Sequence, residues 1–197
     1  MLSKDLSKYL FDRYDVKELV KILQSLVVNN NNFVLSEAEY LDIMLESYIE
    51  QFEQHEQHLS NWVTSLSGSH SMLARFLYAR FVIRLGREKF PEALKVLMSM
   101  IESSSVTDPF IFLHIVRLLV RMKRYSDAAE YLKRALSLSP PYTFFIKCEK
   151  ILHRILTLGE LQFRHSIRIA LLGSSTTSFL VPVLQATCFR FGIHICE

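Results

Sequence analysis

The chain has 197 residues, of which 50% are hydrophobic and 22% charged, with 23 Lys and Arg against 20 Asp and Glu. This length allows one domain, or one domain and part of a second, with enough apolar material for a core. Five Gly and five Pro are few for a mostly β protein, so the composition favours a helical one. The 14 Phe and 8 Tyr argue against intrinsic disorder.

The cysteine count and the N-terminus predict a cytoplasmic protein with reduced thiols. There are three cysteines, an odd number without C-x-x-C spacing, and the first ten residues are charged and amphipathic, unlike a secretory signal. The longest apolar stretch, residues 109–120, is interrupted by His114 and Arg117. It is shorter than the roughly 20 residues that a membrane span needs, so we predict no membrane association.

Charge is unevenly distributed along the chain. Residues 1–70 carry 5 Lys and Arg against 11 Asp and Glu, whereas residues 71–139 carry 12 against 6. Either the two regions pack together and neutralise each other, or the basic region binds an acidic partner. No block of five basic residues and no nucleic-acid motif occurs, so we predict no nucleic-acid partner.

Residues 1–70 are predicted to form a helical N-terminal region. Apolar residues recur at helical spacing over the first 28 residues, and a run of four Asn then favours a turn. Ser36 and Glu39 form a capping box, which predicts a long helix to about His58.

This N-terminal region also contains a sequence similar to a zinc motif. His55 and His58 stand three residues apart, whereas H-E-x-x-H needs a spacing of four to place both imidazoles on one metal ion. No third ligand is evident, so we predict a solvated helix face and no metal site.

The next seventy residues contain an internal repeat. A shift of 35 residues superimposes four positions of one helical face: Phe90 on Tyr125, Ala93 on Ala128, Leu97 on Leu132 and Met100 on Ala135. The preceding helices align at a shift of 36 residues, which places Phe76 on Phe112, Ala79 on Ile115 and Ile83 on Leu119. Two helix-turn-helix units of about 34 residues are typical of a helical repeat array.

The second unit resembles the tetratricopeptide family. Its small Ala128 and Ala135 allow close approach of two helices, and Leu132 fills the space between them. Pro140 ends the helix. The first unit departs from the pattern because Met100 replaces the second small residue. The resemblance implies a mainly α protein with tetratricopeptide-like hairpins in an α-α superhelix, and an irregular helical bundle is the alternative.

After Pro140 and Pro141, one more amphipathic helix is predicted, with an apolar face formed by Phe144, Cys148, Ile151, Ile155 and Leu158. We expect it to cap the array, because a repeat stack needs its last apolar face covered. With a boundary in residues 159–165, the repeats and the capping helix together occupy residues 71–160.

At Ser166 the hydrophobic period changes from 3.6 to 2, which predicts a strand through Leu171. Residues 173–177 form a predicted turn, residues 178–191 a helix that Gly192 ends, and residues 193–197 a second strand. Residues 166–197 are therefore the β-α-β opening of an α/β domain. One helix cannot cover both faces of a two-stranded parallel sheet. The chain is therefore truncated, or this segment borrows support from the helical part.

This opening resembles the start of the FkbH-like proteins, in Ile-Arg-Ile-Ala-Leu-Leu-Gly-Ser-Ser-Thr-Thr-Ser-Phe-Leu-Val-Pro-Val-Leu at 167–184 and Phe-Gly-Ile-His-Ile at 191–195. Those proteins have a helical N-terminal region, an SGNH-hydrolase-like α/β domain and a haloacid-dehalogenase-like (HAD-like) phosphatase domain. The resemblance implies transfer of a glyceryl unit from a phosphorylated three-carbon donor to an acyl carrier protein. It implies magnesium at phosphatase aspartates that would follow Glu197, and hence no cofactor in this chain.

The same resemblance places Ser175 where SGNH hydrolases carry their nucleophile. Here Ser174 replaces the Asp of Gly-Asp-Ser, and the oxyanion-hole residues and the Asp/His pair are missing. The alternative is a turn whose hydroxyl and N–H groups cap the following helix and can bind an anion, formed by Gly173, Ser174, Ser175 and Thr176.

Two functions follow from these observations. The first is a non-catalytic scaffold that docks an acidic protein, such as an acyl carrier protein, in a groove lined by Arg80, Arg84, His114, Arg117 and Arg121. The alternative is the N-terminal portion of a glyceryl- or acyl-transferring enzyme whose site starts at the turn of residues 173–177. The oligomeric state is left open.

Overall fold

A computed structural model describes residues 71–103, 108–170 and 180–196 of the protein. These residues are mainly helical, with six helices that account for 76% of them and one small parallel sheet of two strands. The predicted fold class is thereby confirmed at this coarse level. The predicted helices of residues 1–70, the His55 and His58 pair, and the turn of residues 173–177 lie outside the described residues.

The described elements follow one another in the order α1 Met72–Leu85, α2 Phe90–Ser103, α3 Pro109–Arg121, α4 Tyr125–Ser137, α5 Tyr142–Leu158, β1 His165–Arg168, α6 Leu180–Arg190 and β2 Ile193–Cys196. The chain divides into two compact units after Met100. The expected division into residues 1–70, 71–160 and 166–197 stays a prediction.

In the first unit, polar side chains connect α1 with α2. The Tyr78 hydroxyl donates to Glu92 Oε1 at 2.5 Å, and Arg75 donates to the hydroxyl of Ser99. The connection between the helices passes through Gly86, whose φ of 141° is a conformation that residues with a Cβ rarely adopt. A short 3₁₀ helix, Arg87–Lys89, then leads into α2.

In the second unit, α3 is the most buried helix, with nine of its 13 residues in the core. Its start is well capped, because Pro109 needs no hydrogen-bond acceptor and Asp108 Oδ1 accepts from the Phe110 N–H at 2.9 Å. A tight turn then reverses the chain, with Lys123 at φ 61° and the Arg124 N–H donating to the Leu119 carbonyl oxygen at 2.9 Å. Helix α4 packs back against α3.

The 35-residue spacing of the sequence matches the burial of α2 and α4. The two helices begin at equivalent positions, Phe90 and Tyr125. The equivalent pairs on their inner faces are all 0% exposed: Ala93 with Ala128, Leu97 with Leu132, and Met100 with Ala135. The residues that align in the sequence therefore perform the same packing role in both helices.

Helix α5 begins directly after Pro141 and contacts both α3 and α4. Its buried residues are Phe144, Cys148, Leu152 and Ile155. The predicted apolar face is wrong in its last turn, because Leu158 is 53% exposed and Leu152, which was not assigned to that face, lies in the core. The last turn of α5 lies beside the start of α4 and borders an open cleft with residues 123–127, and only the tertiary arrangement reveals this.

The predicted β-α-β order is present, and the two strands pair in parallel with Ile167 opposite Ile195. Helix α6 ends before Gly192, whose φ of 76° is the left-handed conformation expected of a C-terminal glycine. The first strand is shorter than predicted. It ends at Arg168, where its pairing with Cys196 ends, instead of continuing to Leu171.

Helix α6 connects this segment to the helical part of the second unit. It contacts α4, α5 and β2, and the Arg190 guanidinium donates to the carbonyl oxygen of Leu136 at 3.3 Å. The ring of Phe189 is buried near Phe163, which in turn stacks on His194 with ring centroids 4.9 Å apart. The helical part therefore supplies apolar support for the β-α-β segment.

Candidate partner-binding surface

Three of the five basic residues predicted to line a groove lie on α3. His114, Arg117 and Arg121 follow one another at spacings of three and four, so they share one side of the helix. Their exposure increases along it: His114 is only 6% exposed, Arg117 is half-buried, and Arg121 is exposed. His114 thus belongs to the core, and the part of this side that a partner can reach starts at Arg117.

The other two predicted groove residues, Arg80 and Arg84, lie one turn apart on α1 and are both half-buried. They belong to the first compact unit, whereas the α3 residues belong to the second. A groove formed by all five residues stays a prediction.

The turn after α3 extends its positive charge beyond the residues that the sequence analysis selected. Arg121, Lys123 and Arg124 are all exposed, and we call them the basic turn. The Arg124 Nε lies 2.6 Å from Asp127 Oδ2 in an exposed ion pair. The signal for this site was present in the sequence as the run Arg-Met-Lys-Arg.

The basic turn borders an open cleft of about 320 Å³, lined by residues 123–127 of the turn and of α4 and by residues 158–160 at the end of α5. The two walls approach closely at Gly159. A Cβ there would lie 3.2 Å from Tyr125 Cβ and 2.4 Å from the carbonyl oxygen of Ile155. The lining of the cleft carries both signs of charge. Asp127 and Glu160 are its acidic residues, and Lys123 and Arg124 are its basic ones.

Two described groups that resemble nucleophiles are held in their protonated, unreactive forms. Burial raises the pKa of Cys148 to about 12, and its thiol donates to the Phe145 carbonyl oxygen at 3.3 Å. The hydrogen bond to Glu92, followed by burial and the negative charge of that carboxylate, raises the pKa of Tyr78 to about 12. Both groups are explained by packing and pairing, and neither is activated as a nucleophile.

The predicted catalytic or anion-binding turn, with Gly173, Ser174, Ser175 and Thr176, lies between β1 and α6. Its own residues are outside the described ranges, so these assignments stay predictions. The described elements on either side do have the expected order, a strand followed by a helix that leads to a parallel strand. In parallel α/β sheets, ligands bind at the carboxyl ends of the strands, which is where this turn belongs.

Exposed apolar side chains on the β-α-β segment were not selected from the sequence. Ile167 and Ile169 are 39% and 40% exposed, and Phe191 is 62% exposed. The relevant signal was the small size of the sheet, because two strands and one helix leave apolar side chains uncovered.

Neither a membrane-spanning helix nor a metal-binding cluster occurs in the described parts of the chain. None of the helices described there combines the length and hydropathy that a bilayer span requires. Residues 71–103, 108–170 and 180–196 contain no group of three His, Cys, Asp or Glu side chains that could hold a metal ion.

Comparisons with protein-family models, with curated proteins and with solved structures give no match for this chain.

Proposed function

We propose that this chain is a non-catalytic helical-repeat scaffold that docks an acidic protein through Arg117 and the basic turn. The observation that carries the proposal is the grouping of these four cationic residues at one end of the α3–α4 hairpin. Three of the four are exposed, and one acidic residue, Asp127, pairs with Arg124.

The equivalence of α2 and α4 supports a repeat architecture of the tetratricopeptide kind. Both helices bury an alanine followed by a leucine four residues later, in Ala93 with Leu97 and in Ala128 with Leu132. Repeat arrays expose one surface of each hairpin for partners because each hairpin packs only on its neighbours. Met100 in place of a second small residue makes the first hairpin the less regular of the two.

The chemistry of the surface supports a carboxylate-rich partner. Arginine guanidinium groups bind carboxylates through two parallel hydrogen bonds, and clustered cations speed the encounter with an acidic protein. An acyl carrier protein is acidic, and the resemblance to FkbH-like proteins implies such a partner. The docking partner that we propose is therefore an acyl carrier protein, in the cytoplasm, where the thiols of Cys148 and Cys188 stay reduced.

A second candidate is the N-terminal portion of a glyceryl- or acyl-transferring enzyme with its site at the turn of residues 173–177. The parallel pairing of β1 with β2 supports it, because ligands of parallel α/β sheets bind at the carboxyl ends of the strands. The scaffold is the better supported function, since Arg121, Lys123 and Arg124 are exposed together at one turn.

The test is a calorimetric titration of the full chain with a holo acyl carrier protein at low and moderate salt. In the double variant Arg121→Glu/Lys123→Glu, we expect the dissociation constant to rise about tenfold or more, because attraction becomes repulsion. The matched control is Lys150→Glu/Arg154→Glu, which makes the same charge change on the exposed side of α5. We expect the control to weaken binding by less than about twofold.

Thermal unfolding of both variants serves as the folding control, and we expect both to melt close to the unmodified chain. Equal weakening by the two double variants would show that only net charge matters and would contradict a site at the basic turn. Absence of binding by the unmodified chain at low salt would remove the acyl carrier protein as the partner.

A further inference from the structure

Strand β1 carries two kinds of side chain on its two faces. Successive side chains of a strand point to opposite faces, so Ser166 and Arg168 share one face, and His165 and Ile167 share the other. Arg164 extends the cationic face toward the start of the strand, since its N–H donates to the Gly192 carbonyl oxygen at 3.0 Å, just ahead of β2. Ile169 follows the strand and is exposed like Ile167.

The backbone of β1 has an open edge in the described part of the chain. It pairs with β2 on one side, and the described residues contain no strand on its other side. All four residues of β1 are exposed, whereas Ile193, His194 and Ile195 of β2 are half-buried. Among the described residues, the more exposed strand is therefore β1. A strand with one neighbour leaves half of its backbone N–H and C=O groups without strand partners.

Between Glu160 and Glu197, the charged residues of this segment have one sign. Residues 161–196 contain no Asp or Glu and three Arg, at positions 164, 168 and 190. Arg164 and Arg168 are exposed and flank the length of β1. An incoming strand therefore meets cations on one face and isoleucines on the other, which favours alternating acidic and apolar residues in that strand.

We propose that the free edge of β1 is a docking site for an extended peptide segment in which acidic and apolar residues alternate. The peptide adds a third strand to the sheet, with its carboxylates beside Arg164 and Arg168 and its apolar side chains beside Ile167 and Ile169. Backbone hydrogen bonds supply affinity and the alternation supplies specificity. This site is separate from the basic turn and does not depend on the proposed scaffold function.

The test measures fluorescence anisotropy of labelled synthetic peptides with the full chain. The probe is a peptide of about nine residues with alternating Val and Glu, long enough to span the strand. Two controls keep its length: a peptide with Lys in place of every Glu, and the Val/Glu peptide with N-methyl groups on alternate amides. We expect the unmodified Val/Glu peptide to bind about tenfold more tightly than either control, a difference of about 1.4 kcal/mol.

Variants of the chain test whether the peptide binds at β1. Arg168→Glu should reverse the preference, so that the Val/Lys peptide binds more tightly than the Val/Glu peptide. Ile167→Asp should weaken the Val/Glu peptide about tenfold. Arg154→Glu and Ile146→Asp make the same changes at exposed positions of α5 and should leave peptide binding unchanged. Because all four positions are exposed, circular dichroism should report unchanged helix content.

Three results would overturn the proposal. Equal binding of the Val/Glu and Val/Lys peptides would show that the arginines do not select acidic residues. Equal binding of the N-methylated peptide would show that the peptide does not pair with β1 through backbone hydrogen bonds. A dimer in sedimentation velocity that Arg168→Glu dissociates would show that a second copy of the chain occupies the edge. The double variant Arg121→Glu/Lys123→Glu separates the two proposed sites, because it should bind the Val/Glu peptide as the unmodified chain does and bind the acyl carrier protein more weakly.

Discussion

Helices α3–α5 and strands β1–β2 belong to the same compact unit but differ in how far they bury their apolar residues. Nine residues of α3 are buried, whereas all four residues of β1 are exposed. A helix satisfies its backbone hydrogen bonds internally and needs neighbours only for its apolar side. A strand needs neighbours for both its backbone and its faces. Three helices can therefore form a closed core, while two strands cannot form a closed sheet.

The difference lies in the strands, since the helix between them packs like the rest of the helical part. Ala186 and Phe189 of α6 are buried to 1% exposure or less, and Pro182 is also buried. The β-α-β segment is thus anchored through α6 and open at β1. This arrangement favours a binding role for the strand, because its exposed isoleucines add little to the core.

The largest expected effect is on the free energy of unfolding, and it compares the truncation of one apolar side chain in the helical core with one on β1. Leu132→Ala, at a fully buried position of α4, should lower the free energy of unfolding by about 3 kcal/mol, because it leaves a cavity. Ile167→Ala on β1 should lower it by less than about 1 kcal/mol, because the side chain is already in contact with water. Urea unfolding of both variants measures the difference. Similar losses would show that β1 is as well packed as α4.

A smaller effect is expected at the start of α3. Asp108→Ala removes the acceptor of the Phe110 N–H and should lower the free energy of unfolding by about 1 kcal/mol. Asp108→Asn retains an acceptor oxygen and should lose less than about half of that amount. The same urea titrations measure both variants. An equal loss in the two would mean that the carboxylate charge at the helix N-terminus, and not the hydrogen bond, is the source of the stabilisation.

The smallest effect concerns the first hairpin, where a polar pair connects α1 and α2. The pKa of Tyr78 is raised above its ordinary value of 10.0 to about 12, so its contribution to stability is present below pH 10 and is lost as pH rises to 12. The hydrogen bond from Tyr78, together with the nearby charge of Lys89, lowers the pKa of Glu92 despite some burial. The contribution of Glu92 is therefore present above its ordinary pKa and is lost as pH falls below that value and through the lowered pKa.

Tyr78→Phe removes this pair and should cost less than about 1 kcal/mol at neutral pH, because Glu92 is exposed and Tyr78 is only half-buried. The difference in unfolding free energy between Tyr78→Phe and the unmodified chain should decrease at both ends of the pH range. Glu92→Gln should remove the acidic decrease and reduce the alkaline one, because the carboxylate charge that helps to raise the pKa of Tyr78 is lost. A difference that is constant from acidic to alkaline pH would contradict this role of the hydrogen bond.

Several elements of the fold could be predicted because their causes are local. The 35-residue spacing correctly paired Leu97 with Leu132, since equal spacing along two helices gives equal placement on their inner faces. Pro141 marked the start of α5, and Gly192 marked the end of α6, because both residues restrict or permit particular backbone angles. The change of hydrophobic period predicted the parallel strands.

The candidate site was predictable only in part. Arg117 and Arg121 could be placed on one side of α3 from their spacing. For His114, a place in the groove and a place in the core were both open, because a 3.6-residue period does not say how wide the buried side is. The sequence by itself determined where α5 begins and where α4 and α6 end, through its prolines and glycines. The tertiary structure alone decided that Leu158 and Ile167 are exposed, because exposure depends on which neighbours are present and where they end.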